Sequence, residues 1–172
     1  MQSATAQTYA SLQSTGHAIG DLVTGLSDES AHWSPGPGHW SIIEVLNHLA
    51  DEEVEDFRAR VKVLLNRPEE DFAPIDPVGW ATSRRYAERR LGESLERFRM
   101  ARGESLAWLE SLPARDLDRS RDHPTAGPIS GRQMLACWAA HDLLHVRQIT
   151  RLRYQLLTRT VAPLSLGYAG KW

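Results

Sequence analysis

Apolar residues recur at alternating three- and four-residue steps in four long stretches of this chain, and clusters of proline and glycine separate the stretches. That spacing belongs to helices with one buried face, so the pattern asks for four amphipathic helices around a shared core. Tyr9, Leu12, Gly16, Ile19, Val23 and Leu26 draw the first stripe, over residues 5–26. Gly25, Ser27 and Asp28 mark its exit, and Ser34-Pro35-Gly36-Pro37-Gly38 predicts a loop, because proline has no amide to donate and restricts its predecessor. Ser41 and Glu44 have the spacing of a capping box and open the second helix, whose stripe of Ile42, Leu46, Leu49, Phe57, Val61 and Leu64 leads to Asn66. Asp51, Glu52, Glu53, Glu55 and Asp56 crowd its middle turns with acid.

Pro68, Pro74, Pro77 and Gly79 predict an irregular connection over residues 67–81, with Trp80 as its anchor. The third helix, residues 82–112, carries Tyr86, Leu91, Leu95, Phe98, Leu106, Leu109 and Leu112 and stops at Pro113. After a polar link containing Pro124, Gly127 and Pro128, Ser130 and Gln133 predict a second capping box and a helix to Tyr154. No stretch shows the alternation of a strand. The expected fold is all-α, a four-helix bundle formed by one domain spanning residues 1–172. The three links are similar in length, so the sequence leaves open whether the helices alternate in direction or use crossovers.

A formal net charge of −2, with basic residues spread along the chain, offers no basic patch for nucleic acid. The opening residues lack a positive segment followed by an apolar run, and no stretch approaches the roughly 18 apolar residues of a membrane span. The expected location is the cytoplasm, with no membrane partner. The single Cys137 has no internal disulfide partner and reads as a small buried core residue rather than a soft ligand.

The fourth stripe reads Met134, Trp138, His141, His145, Ile149, Leu152, so two imidazoles stand where the pattern asks for apolar side chains. Four residues apart, they project from one helical face and can reach a single ion. A third donor has to come from another helix. His48, beside Val45 and Leu49 at the edge of the second stripe, is the best placed. Taken alone, it reads as a half-buried histidine bonded to a carbonyl or to Glu52. Three imidazoles on two facing helices suit zinc, nickel, iron or copper and leave coordination positions open, as a catalytic site requires. His17, His32 and His123 read as surface residues, and His39 as a loop residue able to close over the site. Asp142 and Glu52 are the carboxylates placed to orient ligand imidazoles. The single Asp142 does not replace the glutamate of a zinc protease, and paired Glu-x-x-His elements of a di-iron site are missing.

Gly38-His39-Trp40-Ser41-Ile42-Ile43-Glu44-Val45-Leu46-Asn47-His48-Leu49-Ala50-Asp51 resembles the second-helix motif of the DinB/YfiT-like superfamily. His141-Asp142-Leu143-Leu144-His145-Val146-Arg147-Gln148-Ile149 is similar to that family's fourth-helix motif. The resemblance implies a bundle of up-up-down-down connectivity, a homodimer, and one divalent metal ion, nickel or zinc, held by His48, His141 and His145. It also implies a small-molecule substrate and a metal that activates water or a low-molecular-weight thiol, in a hydrolase or a thiol S-transferase. The alternative is a non-catalytic metal-binding stress-response or interaction protein. Arg147, Arg151 and Arg153 read as a solvated face, with a carboxylated substrate as the other reading, and the apolar residues of 163–172 as a cover for the bundle, a site wall or a dimer contact.

Overall fold

The computed structural model describes residues 4–123 and 127–170, which leaves Pro124 and Trp172 outside the described residues. Its helices are α1 (Ala4–Val23), α2 (Asp28–His32), α3 (Ile42–Asp51), α4 (Arg58–Asn66), α5 (Pro77–Ser83), α6 (Leu91–Glu110) and α7 (Gly131–Thr160). A π-helical stretch, Glu52–Phe57, joins α3 to α4, so these three pieces form the single second helix that the stripe predicts. With α1, α6 and α7 it makes the four-helix bundle.

The Ser41 capping box is present: its hydroxyl accepts the Glu44 N–H, and the Glu44 carboxylate accepts the Ser41 N–H at 2.8 Å. Ser130 accepts the Gln133 N–H at 3.2 Å, while the Gln133 side chain stays exposed instead of closing a box. The fourth helix runs on past Tyr154 to Thr160.

The connectivity departs from up-up-down-down. Arg132 bonds Thr5, Asp142 bonds Thr15 and Arg153 bonds the Leu22 carbonyl, so α1 and α7 run in the same direction. Asn47 meets Ser94, Glu53 meets Arg102 and Arg58 meets Glu104, so the second helix and α6 are also parallel. His48 against His145 and Phe57 against Trp138 set the second helix antiparallel to α7. The order is therefore up-down-down-up. The link of residues 67–90 is the one that has to travel the length of the bundle, since it joins two parallel helices. It does so through α5, which packs back against α3. Asp76 caps α5 by accepting the Gly79 N–H at 2.9 Å, and a Cβ on Gly79 would lie 1.9 Å from that carboxylate.

Three local features differ from the sequence pattern. Ser27 caps a short helix, α2, inside the expected loop by accepting the Ser30 N–H. The third helix begins at Leu91 rather than 82, because Arg85 sits in the left-handed region at φ 54° and interrupts it. Ser120–His123 (β1) and Gly127–Ser130 (β2) form a two-stranded antiparallel hairpin where no strand was expected; with four residues each, they offer no periodicity to read. No described helix is long and apolar enough to cross a membrane.

The core divides into two apolar clusters. One gathers Ile19, Ile42, Leu46, Phe98 and Ile149, and the other Leu12, Val61, Leu64, Met134 and Trp138. Between them every long helix contributes polar side chains: Thr15 from α1, His48 and Glu53 from the second helix, Arg102 from α6, and Asp142 and His145 from α7. The candidate site lies in this layer.

Candidate metal centre

His48 on α3 and His141 and His145 on α7 come together as the two fragments of sequence predict. The His145 Nε2 atom lies 3.2 Å from that of His48 and 3.1 Å from that of His141. Two nitrogens each about 2.1 Å from one ion are about 3.0 Å apart at a right angle and about 3.4 Å apart at the tetrahedral angle. The two spacings from His145 fall between those limits, and the three ligand atoms all lie within 4.8 Å of one another. Among the described residues, no carboxylate or thiol joins the three imidazoles.

The rings are kept from water by Trp40, 4.8 Å from His48 between centroids, and by Phe57, 5.1 Å from His141. Burial, then the neighbouring His145 and His141, pushes the His48 imidazole down to about 3. Burial, followed by His145, lowers His141 to about 4, and burial lowers His145 as well. At neutral pH the three imidazoles are uncharged and carry lone pairs for a cation.

The second nitrogens decide which lone pairs face inward. His145 Nδ1 is 2.8 Å from the Gln148 Oε1, an acceptor, so Nδ1 carries the proton and Nε2 presents its lone pair to the cluster. His48 Nδ1 and Glu52 Oε1 face each other at 3.8 Å, and neither buried atom has a hydrogen-bond partner. That separation is too long for the bond expected from Glu52; an approach of about 1 Å would make it. Burial, then Asp56, raises the Glu52 carboxyl to about 8, which a proton donor or a nearby cation would oppose. An inward lone pair on His145 opposite a second imidazole nitrogen, with the unpartnered Glu52 Oε1 behind His48, is a donor set that fits a divalent cation.

Asp142 does not orient a ligand. It is fully buried and accepts two bonds from Arg102, 2.7 Å from Nη1 and 2.8 Å from Nη2, with the Thr15 hydroxyl at 2.5 Å. Arg102 Nε also donates to Glu53 at 2.8 Å, and Trp138 Nε1 donates to the same Glu53 oxygen at 2.9 Å. Being next to His141 in sequence turns Asp142 roughly 100° around the helix, toward α1 and α6. This hub ties all four long helices together beside the histidines. Cys137 also departs from expectation: it is exposed, on the face of α7 turned away from the core.

The remaining histidines stay apart from the cluster. His17, His32 and His39 are exposed, and His123 is half-buried on β1 near Phe72. The His39 Nδ1 lies 3.2 Å from the Pro37 carbonyl instead of reaching the cluster. Gln148 and Arg102 were not singled out from the sequence, although both had a signal. Gln148 stands three residues after His145 on the same face, and Arg102 fills a slot in the stripe Leu91, Leu95, Phe98, Arg102, Leu109, as the histidines do in theirs.

The family model described as DinB superfamily matches residues 11–149. A curated Oceanobacillus iheyensis protein named "Putative metal-dependent hydrolase" is 27% identical over 132 residues, which cover 77% of this chain and 76% of that protein. Among solved structures the chain is similar to YfiT from Bacillus subtilis, described as "a probable metal-dependent hydrolase with an unusual four-helix bundle topology". That match has a TM-score of 0.77 at 22% identity and covers 88% of this chain and 87% of YfiT, a likeness of fold.

Proposed function

As this chain belongs to the DinB superfamily, we propose that it is a metal-dependent hydrolase in which His48, His141 and His145 hold one divalent ion, nickel or zinc. One observation carries the reading: buried and half-buried neutral imidazoles from two antiparallel helices bring the His145 Nε2 atom to 3.1 and 3.2 Å from those of His141 and His48, with no fourth protein donor among the described residues. Structural zinc sites close with four protein ligands, whereas three leave room for a substrate and a nucleophile. A divalent ion supplies Lewis acidity and a nucleophile at neutral pH. The names of the Oceanobacillus and Bacillus relatives support water over a small thiol as that nucleophile.

The chain's own residues set the geometry. Gln148 fixes the tautomer and orientation of His145 through Nδ1. Glu52 is the acceptor placed for the His48 Nδ1 proton. Trp40 and Phe57 exclude water from one side of the imidazoles. The Arg102 hub holds α7 against the π-helical stretch and so keeps His48 and His145 at their spacing.

Untagged protein loaded with nickel or zinc is to be screened against small carboxylic esters and amides, with and without a low-molecular-weight thiol. The expected result is hydrolysis that chelation abolishes, that metal restores, and that His145→Ala lacks. Turnover only with the thiol, giving a thioether or thioester product, would replace hydrolysis with thiol transfer. Full metal occupancy without turnover on any substrate would favour the non-catalytic alternative.

A further inference from the structure

The face of α7 that carries His141 and His145 continues through Gln148, Leu152 and Gln155, and there it lines a cavity of about 400 Å³. Trp40 from the loop before α3 and Val78 of α5 form the facing wall. This volume suits a small organic molecule. The three histidines do not line the cavity, but two of its wall residues touch them. Gln148 bonds His145 at 2.8 Å, and the Trp40 ring lies 4.8 Å from that of His48. One end of the cavity therefore abuts the imidazole cluster.

Its charge is one-sided. Among the described residues no acidic side chain lines the cavity, and Arg151 is the one arginine or lysine that does. Arg84, Arg97, Arg102 and Arg132 are each paired with a carboxylate, but Arg151 makes no ion pair with a described residue. Arg151 lies six residues beyond His145, about 9 Å along the helix axis, a distance that a small molecule spans. Its planar, permanently charged fork matches a carboxylate in two-point geometry. The Gln148 amide uses its oxygen on His145, which leaves its NH₂ group free to donate.

We propose that this cavity recognises a small organic carboxylate. Arg151 takes the carboxylate, Trp40, Leu152 and Val78 cover the apolar body, and the opposite end of the molecule is presented past Gln148 toward the histidines. The place of this subsite in turnover rests on the metal-dependent hydrolase reading, whereas the binding itself does not.

The test titrates phenylacetate and its neutral counterpart phenylacetamide into wild type and Arg151→Gln, each zinc-loaded and metal-free. The readout is the Trp40 indole N–H resonance, assigned with Trp40→Phe, and metal content and helicity are measured on every sample. Phenylacetate is expected to bind wild type about tenfold more tightly than the amide. Arg151→Gln is expected to bring the two ligands within about twofold of each other, with helicity and metal content unchanged. Equal binding of the two ligands by wild type, or a carboxylate preference that survives Arg151→Gln, overturns the proposal. The metal-free titration decides the subsite even if wild type proves unable to hold zinc, a result that would sink the metal reading alone.

Discussion

Burial holds the His48 imidazole down at about 3 and His141 at about 4, and that makes the metal-free fold sensitive to acid. An unfolded histidine takes up its proton near 6.5. Between that value and the folded ones the unfolded chain binds more protons, so stability present above 6.5 is lost as pH falls toward 4 and then 3. Each of the two histidines steepens the loss by up to about 1.4 kcal/mol per pH unit. Glu52, raised to about 8, works in the opposite direction, because the folded state keeps its proton longer than the unfolded state. A double difference separates the two effects. Urea unfolding of metal-free wild type and His48→Gln at pH 7.5 and pH 5.0 is expected to show a smaller acid loss in the variant, and equal losses would contradict the burial argument. The three histidines were legible in the sequence because each sits on or beside an apolar stripe. Asp142 and Cys137 were misread for want of the same information: neither lies on the stripe, and only the packed neighbours decide whether an off-stripe residue meets another helix or water.

Among the elements, the π-helical stretch Glu52–Phe57 has the largest consequences. Its wider turn lets Glu52, Glu53, Asp56 and Phe57 all be buried, where a regular helix would send part of this acidic run to solvent. In sequence the four buried acids Asp51, Glu52, Glu53 and Asp56 showed only as an acidic run in the middle turns of the second helix. For two of them the partners lie far away along the chain, Arg97 and Tyr86 for Asp51 and Arg102 for Glu53, whereas Asp56 pairs with Arg60 one turn on. The capping residue Ser41 was legible because its bonds are local, and the pairs of Asp51 and Glu53 were not because theirs are not. Arg102→Met leaves Glu53 and Asp142 buried without their cation, a loss of about 3–5 kcal/mol in pairs of this kind. Urea unfolding of the metal-free variant followed by circular dichroism measures it; a loss under about 1 kcal/mol would show the hub to be dispensable.

Across the whole molecule, helix number and order followed from periodicity, and direction did not. Links of similar length can join helices at one end or carry the chain back to the other, and the up-down-down-up order is revealed by long-range pairs: Thr5–Arg132 with Thr15–Asp142, Asn47–Ser94 with Glu53–Arg102, and His48–His145 with Phe57–Trp138. That order sets the second helix antiparallel to α7, with His48 level with His145, and it brings α5 back to α3. One site is thus assembled from residues nearly a hundred positions apart, with a cavity against it. The most direct test is elemental analysis of untagged wild type, His48→Ala and His145→Ala, with circular dichroism on each. About one nickel or zinc per chain in wild type, lost in both variants while helicity is kept, is the expected result. Wild type that holds no metal even after reconstitution, or variants that keep it, would contradict a three-histidine metal centre.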